Sequence, residues 1–112
     1  VDAVFYRKGE TAYWFYEEKI EGLREPRKAR IKHRGNVLEL MRHSGNMVFD
    51  ENSSYRTEYR TPYGKLLLDI VTRSVERLDA ANGHVEIKAA YTLENGGQAV
   101  GEYELHLCGR DY

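Results

Sequence analysis

The stretch Tyr55 to Thr72, YRTEYRTPYGKLLLDIVT, decides the fold of this 112-residue chain. Tyr55, Thr57, Tyr59 and Thr61 alternate with Arg56, Glu58 and Arg60, the period of two that buries one strand face and wets the other. Pro62-Tyr63-Gly64 interrupts the run, and Leu66, Leu68, Ile70 and Thr72 resume it. The pair reads as a β-hairpin in an antiparallel sheet. A helical stripe over 66–80 (Leu67, Ile70, Val71, Ser74, Val75, Leu78) competes with this reading. The alternation continuing out of the preceding strand, and the β-branched Ile70, Val71, Thr72 and Val75, favour a strand.

Outward from this hairpin, turn signals recur at Lys8-Gly9-Glu10, Glu21-Gly22, Arg34-Gly35-Asn36, Ser44-Gly45-Asn46, Asn52-Ser53-Ser54, Asn82-Gly83 and Asn95-Gly96-Gly97. Gly and Asn tolerate the positive φ of tight hairpins, and spacing of about 8–13 residues marks a sandwich or barrel of short strands. Strands are predicted over 3–7, 11–18, 27–33, 37–42, 46–50, 55–61, 65–76, 84–92 and 99–108. No Pro falls inside any of them.

Composition bounds the rest. One domain spanning 1–112, with 41% hydrophobic and 31% charged residues, is ordinary for a folded globular protein. No apolar run approaches the roughly 20 residues that cross a bilayer, so no membrane partner is expected. The single Cys108 forms no internal disulfide, which makes a reducing cytoplasm the default location. The chain opens without Met and already in strand pattern, which suggests a trimmed N-terminus. Nine Tyr against three Phe is a bias toward rings that are buried while their hydroxyls find partners. Net charge is -1, so the chain as a whole is not built to neutralise nucleic acid.

Alternation assigns an inner face to most strands. Val85, Ile87, Ala89 and Tyr91 oppose Glu86 and Lys88; Tyr103, Leu105 and Leu107 oppose Glu102, Glu104 and His106; Ala29 and Ile31 oppose Lys28, Arg30 and Lys32. Tyr13-Trp14-Phe15-Tyr16 and Leu66-Leu67-Leu68 are apolar on both faces. Closing such a sheet into a barrel removes its edges.

The chain resembles the YwiB-like family, a group of small bacterial proteins of unknown function. The resemblance runs through the aromatic strand ending in Glu17-Glu18, the basic strand after it, Leu38-Glu39-Leu40-Met41-Arg42, Tyr59 to Gly64, Leu66 to Thr72, and the Tyr91 strand before an Asn-Gly turn. Order rather than any single motif carries it. It implies an antiparallel, up-and-down, eight-stranded barrel of calycin (lipocalin-like) type, here lacking a first strand. That loss would leave an open edge near residues 3–7. It implies no activity and no catalytic residues.

Barrels of this size pack solid or hold one small ligand. The expected function is binding of a small apolar or amphipathic molecule in the barrel interior, lined by Tyr13, Phe15, Tyr55, Tyr59, Ile70, Thr72, Tyr91 and Tyr103. Thr57 and Thr61 add hydroxyls. Core packing of the same side chains is the competing reading. The rival site is the basic segment 24–34, where Arg27, Lys28, Arg30, Lys32 and Arg34 could hold an anion or RNA with Trp14 or Tyr16 stacking a base. Its bland counterpart is a solvated face paired with Glu17, Glu39 and Glu58. A third reading is a protein-interaction module or homodimer through the open edge. No enzyme, cofactor or metal site is expected. The histidines His33, His43, His84 and His106 read as scattered surface residues, and Cys108 with His106 lies on a charged face near a chain end.

Overall fold

The computed structural model describes residues 3–43, 45–81 and 83–110, with Thr61 described by its backbone alone. The Ser44 and Asn82 turn assignments and the Thr61 hydroxyl lie outside the described residues. All nine predicted segments are strands. In chain order, β1 (Val4–Lys8), β2 (Thr11–Glu18), β3 (Arg27–Arg34), β4 (Val37–Met41) and β5 (Met47–Asp50) form one sheet. The other comprises β6 (Tyr55–Thr61), β7 (Gly64–Asp79), β8 (His84–Asn95) and β9 (Gln98–Arg110). Every pairing is antiparallel between chain neighbours, so the up-and-down order holds within each sheet. No helix among the described residues is long and apolar enough to cross a membrane.

The expected single eight-stranded barrel is not what forms: nine strands divide between two sheets. The division has local causes. After β5 the chain turns at 51–54, where the Asp50 carboxylate accepts the Asn52 N–H at 3.0 Å and the Ser53 hydroxyl at 3.4 Å. Strand β6 ends its pairing with β7 at Tyr55↔Ile70, and the rest of that β7 edge has no ladder partner. There the Val75 N–H goes to the Glu51 carboxylate at 2.7 Å instead of to a strand carbonyl. A bulge between Thr72 and Ser74 bends β7 just before this point.

On the opposite side, β1 and β9 approach through side chains. The Phe5 ring lies over Gly109, where a Cβ would collide with it, and the Trp14 indole N–H donates to the Cys108 carbonyl at 3.1 Å. Strand β1 is therefore a sheet edge backed by β9.

Between the sheets, Ala12, Trp14, Ile31, Leu38, Leu40 and Phe49 face Ile70, Val85, Ile87 and Ala89. The inner faces read from alternation on β3, β8 and β9 hold, but on β2 they reverse. Ala12 and Trp14 point inward, so Tyr13 and Phe15, expected as lining, stand on the outer surface. With both faces apolar, alternation alone could not choose, and a one-residue change of register exchanges them. The choice goes with the Phe5–Trp14 ring contact at 4.9 Å and with the Cys108 carbonyl that accepts the buried indole N–H.

A polar cluster closes the end where β3 and β7 finish. Arg77 donates to the Glu10 carbonyl at 2.7 Å, to His33 Nδ1 at 3.1 Å, and through Nε and Nη2 to Asp79 at 2.7 and 3.2 Å. His33, expected at the surface, is 1% exposed. Arginine only donates, so Nδ1 is the acceptor and the ring is the neutral Nε2–H tautomer. Burial, then the Arg77 charge, pushes its pKa below the usual histidine value, while Asp79 raises it less.

Candidate functional site

At the other end of the sandwich, where β4 finishes and β7 begins, the sheets part. They leave an apolar groove of about 340 Å³. Tyr59 and Leu66 come from the β6–β7 hairpin, with Leu68 and Thr57 below them. Tyr91 and Leu93 of β8 and Val100 and Tyr103 of β9 form the opposite wall, and Met47, Gly45 and Arg42 enter from the first sheet. Tyr91 is the floor: its ring tilts against the fully buried Phe49 at 4.6 Å and stacks on Tyr103 at 5.6 Å. Gly101 permits this wall, because a Cβ there would lie 2.7 Å from the Tyr103 hydroxyl. Burial raises the Tyr91 pKa, with Arg42 opposing the shift. Nearby Tyr16 is raised by burial too, again opposed by Arg42.

Arg42 is the polar feature of the groove. Among the described residues, its Nη2 donates to the Met47 sulfur, at 3.3 Å, and its buried Nε has no partner. Among the described residues no carboxylate lies within ion-pair distance of it. A second, polar recess of about 330 Å³ shares Arg42, Gly45 and Thr57 with the groove and adds His43, Arg56 and Arg60. The corner is pinned by the Thr57 hydroxyl donating to the Asn46 carbonyl at 2.5 Å and by Gly45 passing beneath the Glu58 carbonyl.

The structure thus gathers Tyr59, Tyr91 and Tyr103 in the groove and leaves the other predicted residues elsewhere. Tyr55 lines the polar recess. Ile70 is fully buried in the core and Thr72 is 7% exposed, its hydroxyl unpartnered. Core side chains from Ala12 to Ala89 meet in the middle of the sandwich, and the apolar groove lies at its end. Arg42 and Gly101 escaped notice in the sequence. Arg42 closes the Leu38-Glu39-Leu40-Met41-Arg42 run and had no charged partner in view; Gly101 breaks the Val100–Tyr103 alternation, which was the available signal.

The rival site is also assembled, with different aromatics. Trp14 is 3% exposed and Tyr16 points inward, so neither can stack a base. Tyr6, Tyr13 and Phe15 instead form a stack on the outer face, with centroids 5.2–6.1 Å apart and near-parallel planes. Beside it β3 presents Lys28, Arg30, Lys32 and Arg34, with Arg30 opposite Phe15 and Lys32 opposite Tyr13. Arg27 sits at the strand start, opposite Glu18. Glu17 and Glu39 lie across from Lys28 and Lys32, yet among the described residues none of these five bases forms an ion pair. Glu58 belongs to Lys65 at 3.6 Å instead.

On the outer face of the second sheet, Glu86, His106 and Cys108 bring three ligand atoms within 4.8 Å. His106 Nε2 is 2.5 Å from Glu86 Oε1 and 3.8 Å from Cys108 Sγ. A nucleophile–base–orienter relay uses opposite ring nitrogens, whereas here both partners meet one nitrogen. These are the described residues that could hold a metal, although a metal would displace the His106–Glu86 hydrogen bond.

The fold and groove define a two-sheet antiparallel β protein with a tyrosine-walled, arginine-capped groove at one end. The chain belongs to the family described as a domain of unknown function, DUF1934, whose profile matches residues 1–107. Comparison with curated proteins and with solved structures gave no match.

Proposed function

We propose that this protein is a non-enzymatic binder of a small amphipathic molecule, acting in the reducing cytoplasm as a YwiB-like, calycin-type carrier. The observation behind this is the groove itself: about 340 Å³ walled by Tyr59, Tyr91, Tyr103 and leucines, with hydroxyls at the rim. That volume is at the small end of the roughly 300–1,000 Å³ of small-molecule sites, and apolar walls with few polar groups suit such ligands. Native mass spectrometry of protein purified gently from its host tests it. A reproducible small-molecule adduct is expected, and it should be lost in the Tyr59→Ala/Tyr103→Ala double variant, whose replaced rings are 41% and 44% exposed. An adduct indifferent to both changes, or apo protein that takes up no apolar probe, refutes the reading.

A second reading rests on the outer stack of Tyr6, Tyr13 and Phe15 beside the basic strand: contact with single-stranded RNA, whose bases stack on exposed rings. If Lys28, Arg30, Lys32 and Arg34 each meet a phosphate, affinity for oligouridylate should fall about 50-fold between 50 and 200 mM salt. Salt-independent binding, or none, removes it.

A further inference from the structure

We infer that the ligand of the groove is a single-chain amphiphile with an anionic head, and that Arg42 holds the head while the tyrosine–leucine walls hold the chain. This rests on the groove being a ligand site. Two concavities of contrasting chemistry meet at Arg42. On one side is the apolar groove; on the other is the polar recess with His43, Arg56 and Arg60. Arg56 is engaged by Asp69 at 2.8 Å, and the Glu58 carboxylate, which also lines the recess, by Lys65 at 3.6 Å, so the cations left to a guest are Arg42 and Arg60.

Arg42 and, on β3, Arg30 each keep a buried Nε without a partner and an Nη2 on a methionine sulfur, but only Arg42 lines the groove and the recess. Arg42 is half-buried, but its Nε is fully buried, and a buried donor without a partner costs about 1–3 kcal/mol. Here the Nε–H has no acceptor and Nη2 has only a thioether, a weak one. An anionic oxygen seated at the junction would take these donors and form charge-assisted hydrogen bonds. The walls argue against a compact inorganic anion as the whole ligand, because Leu66, Leu68 and Leu93 offer it nothing. They argue against a neutral or cationic chain too, since one leaves Arg42 bare and the other adds repulsion. A carboxylate and a phosphate monoester share the required chemistry.

The test is calorimetric titration with four probes of equal chain length, below their micellar concentrations: decanoate, decyl phosphate, decanol and decyltrimethylammonium. Wild type, Arg42→Gln and Arg42→Lys are compared, with circular dichroism confirming the fold of each. In the wild type at least one anion is expected to bind ten-fold or more tighter than decanol, and the cation least. Arg42→Gln should lose that preference while keeping decanol affinity within about two-fold, and Arg42→Lys should retain part of it. Whether decanoate or decyl phosphate binds better distinguishes the two head groups. Equal binding of decanol and both anions in the wild type overturns the inference and leaves the groove as a ligand site. So does an anion preference that survives in Arg42→Gln. If no chain binds with any head, the groove reading itself fails and the inference falls with it.

Discussion

Replacing Trp14 and Phe15 separately by Ala measures which face of β2 is buried. Trp14 is 3% exposed, packs its ring on Phe5 at 4.9 Å and donates to the Cys108 carbonyl across the gap between sheets. Truncation removes the ring, opens a cavity and orphans that carbonyl, for a loss of about 3–5 kcal/mol. Phe15 is 39% exposed and gives up chiefly its stacking on Tyr13 and Tyr6, worth about 0.5–1.5 kcal/mol. The gap between the variants should therefore be about 2–4 kcal/mol. With a urea m-value of about 1–3 kcal/mol/M, that separates their midpoints by roughly 0.7–4 M. Far-UV circular dichroism is the readout, since Trp14 is the only Trp. Should Trp14→Ala not fold, Trp14→Phe keeps a ring against Phe5 and loses the N–H, at about 1–3 kcal/mol. A Phe15→Ala loss equal to or larger than that of Trp14→Ala would refute the inward placement of Trp14.

Two further outcomes follow from the same contacts. The folded state holds His33 below the ordinary 6.5 while the unfolded chain titrates near it, so the unfolded state binds more protons as pH drops below 6.5. Stability should fall there by up to about 1.4 kcal/mol per pH unit and level off once the folded ring protonates. His33→Gln should flatten this slope between pH 7.5 and 5.5 in thermal melts, and an unchanged slope would sink the assignment. Asp79, held low by Arg77, sustains stability above the ordinary carboxylate value of 3.8 and loses it as pH falls through its lower folded value, so its loss is separable from that of His33. Gly45→Ala puts a Cβ 2.7 Å from the Glu58 carbonyl at φ 146 and should cost about 1–3 kcal/mol. Gly9→Ala, with φ 61 and no atom within 4 Å, should cost only about 1–2 kcal/mol. Equal melting temperatures for Gly45→Ala and wild type would mean the β5–β6 corner yields freely.

Much of the architecture was legible because a strand advertises itself locally. Polar–apolar alternation in Tyr55 to Thr61 and in Val85 to Tyr91 reports which side chains meet water, and Gly at hairpins such as Asn95-Gly96-Gly97 reports positive φ, here 59 and 83 at the two glycines. The helical stripe over 66–80 yielded to β7 for the same reason, since β-branched residues pair with β8 along nearly the whole segment. His33 was misread as surface although Ala29 and Ile31 share its parity. A histidine carries no signature of the arginine that will neutralise the cost of burying it.

The candidate site was legible only as a tyrosine and threonine bias. Tyr59, Tyr91 and Tyr103 come from three strands, and nothing in the chain says that their ends converge where the sheets part. Arg42 stands out only once both sheets are in place around it. On its own, the sequence determined nine strands of an antiparallel β protein, with inner and outer faces wherever one face was polar, because hydration acts residue by residue along a strand. Tertiary structure alone decided the face of the aromatic β2, the split into two sheets, and the groove with its unpaired arginine. Each of these depends on which distant group satisfies a buried N–H or fills the space beside a ring, and that is a property of pairs that only folding brings together.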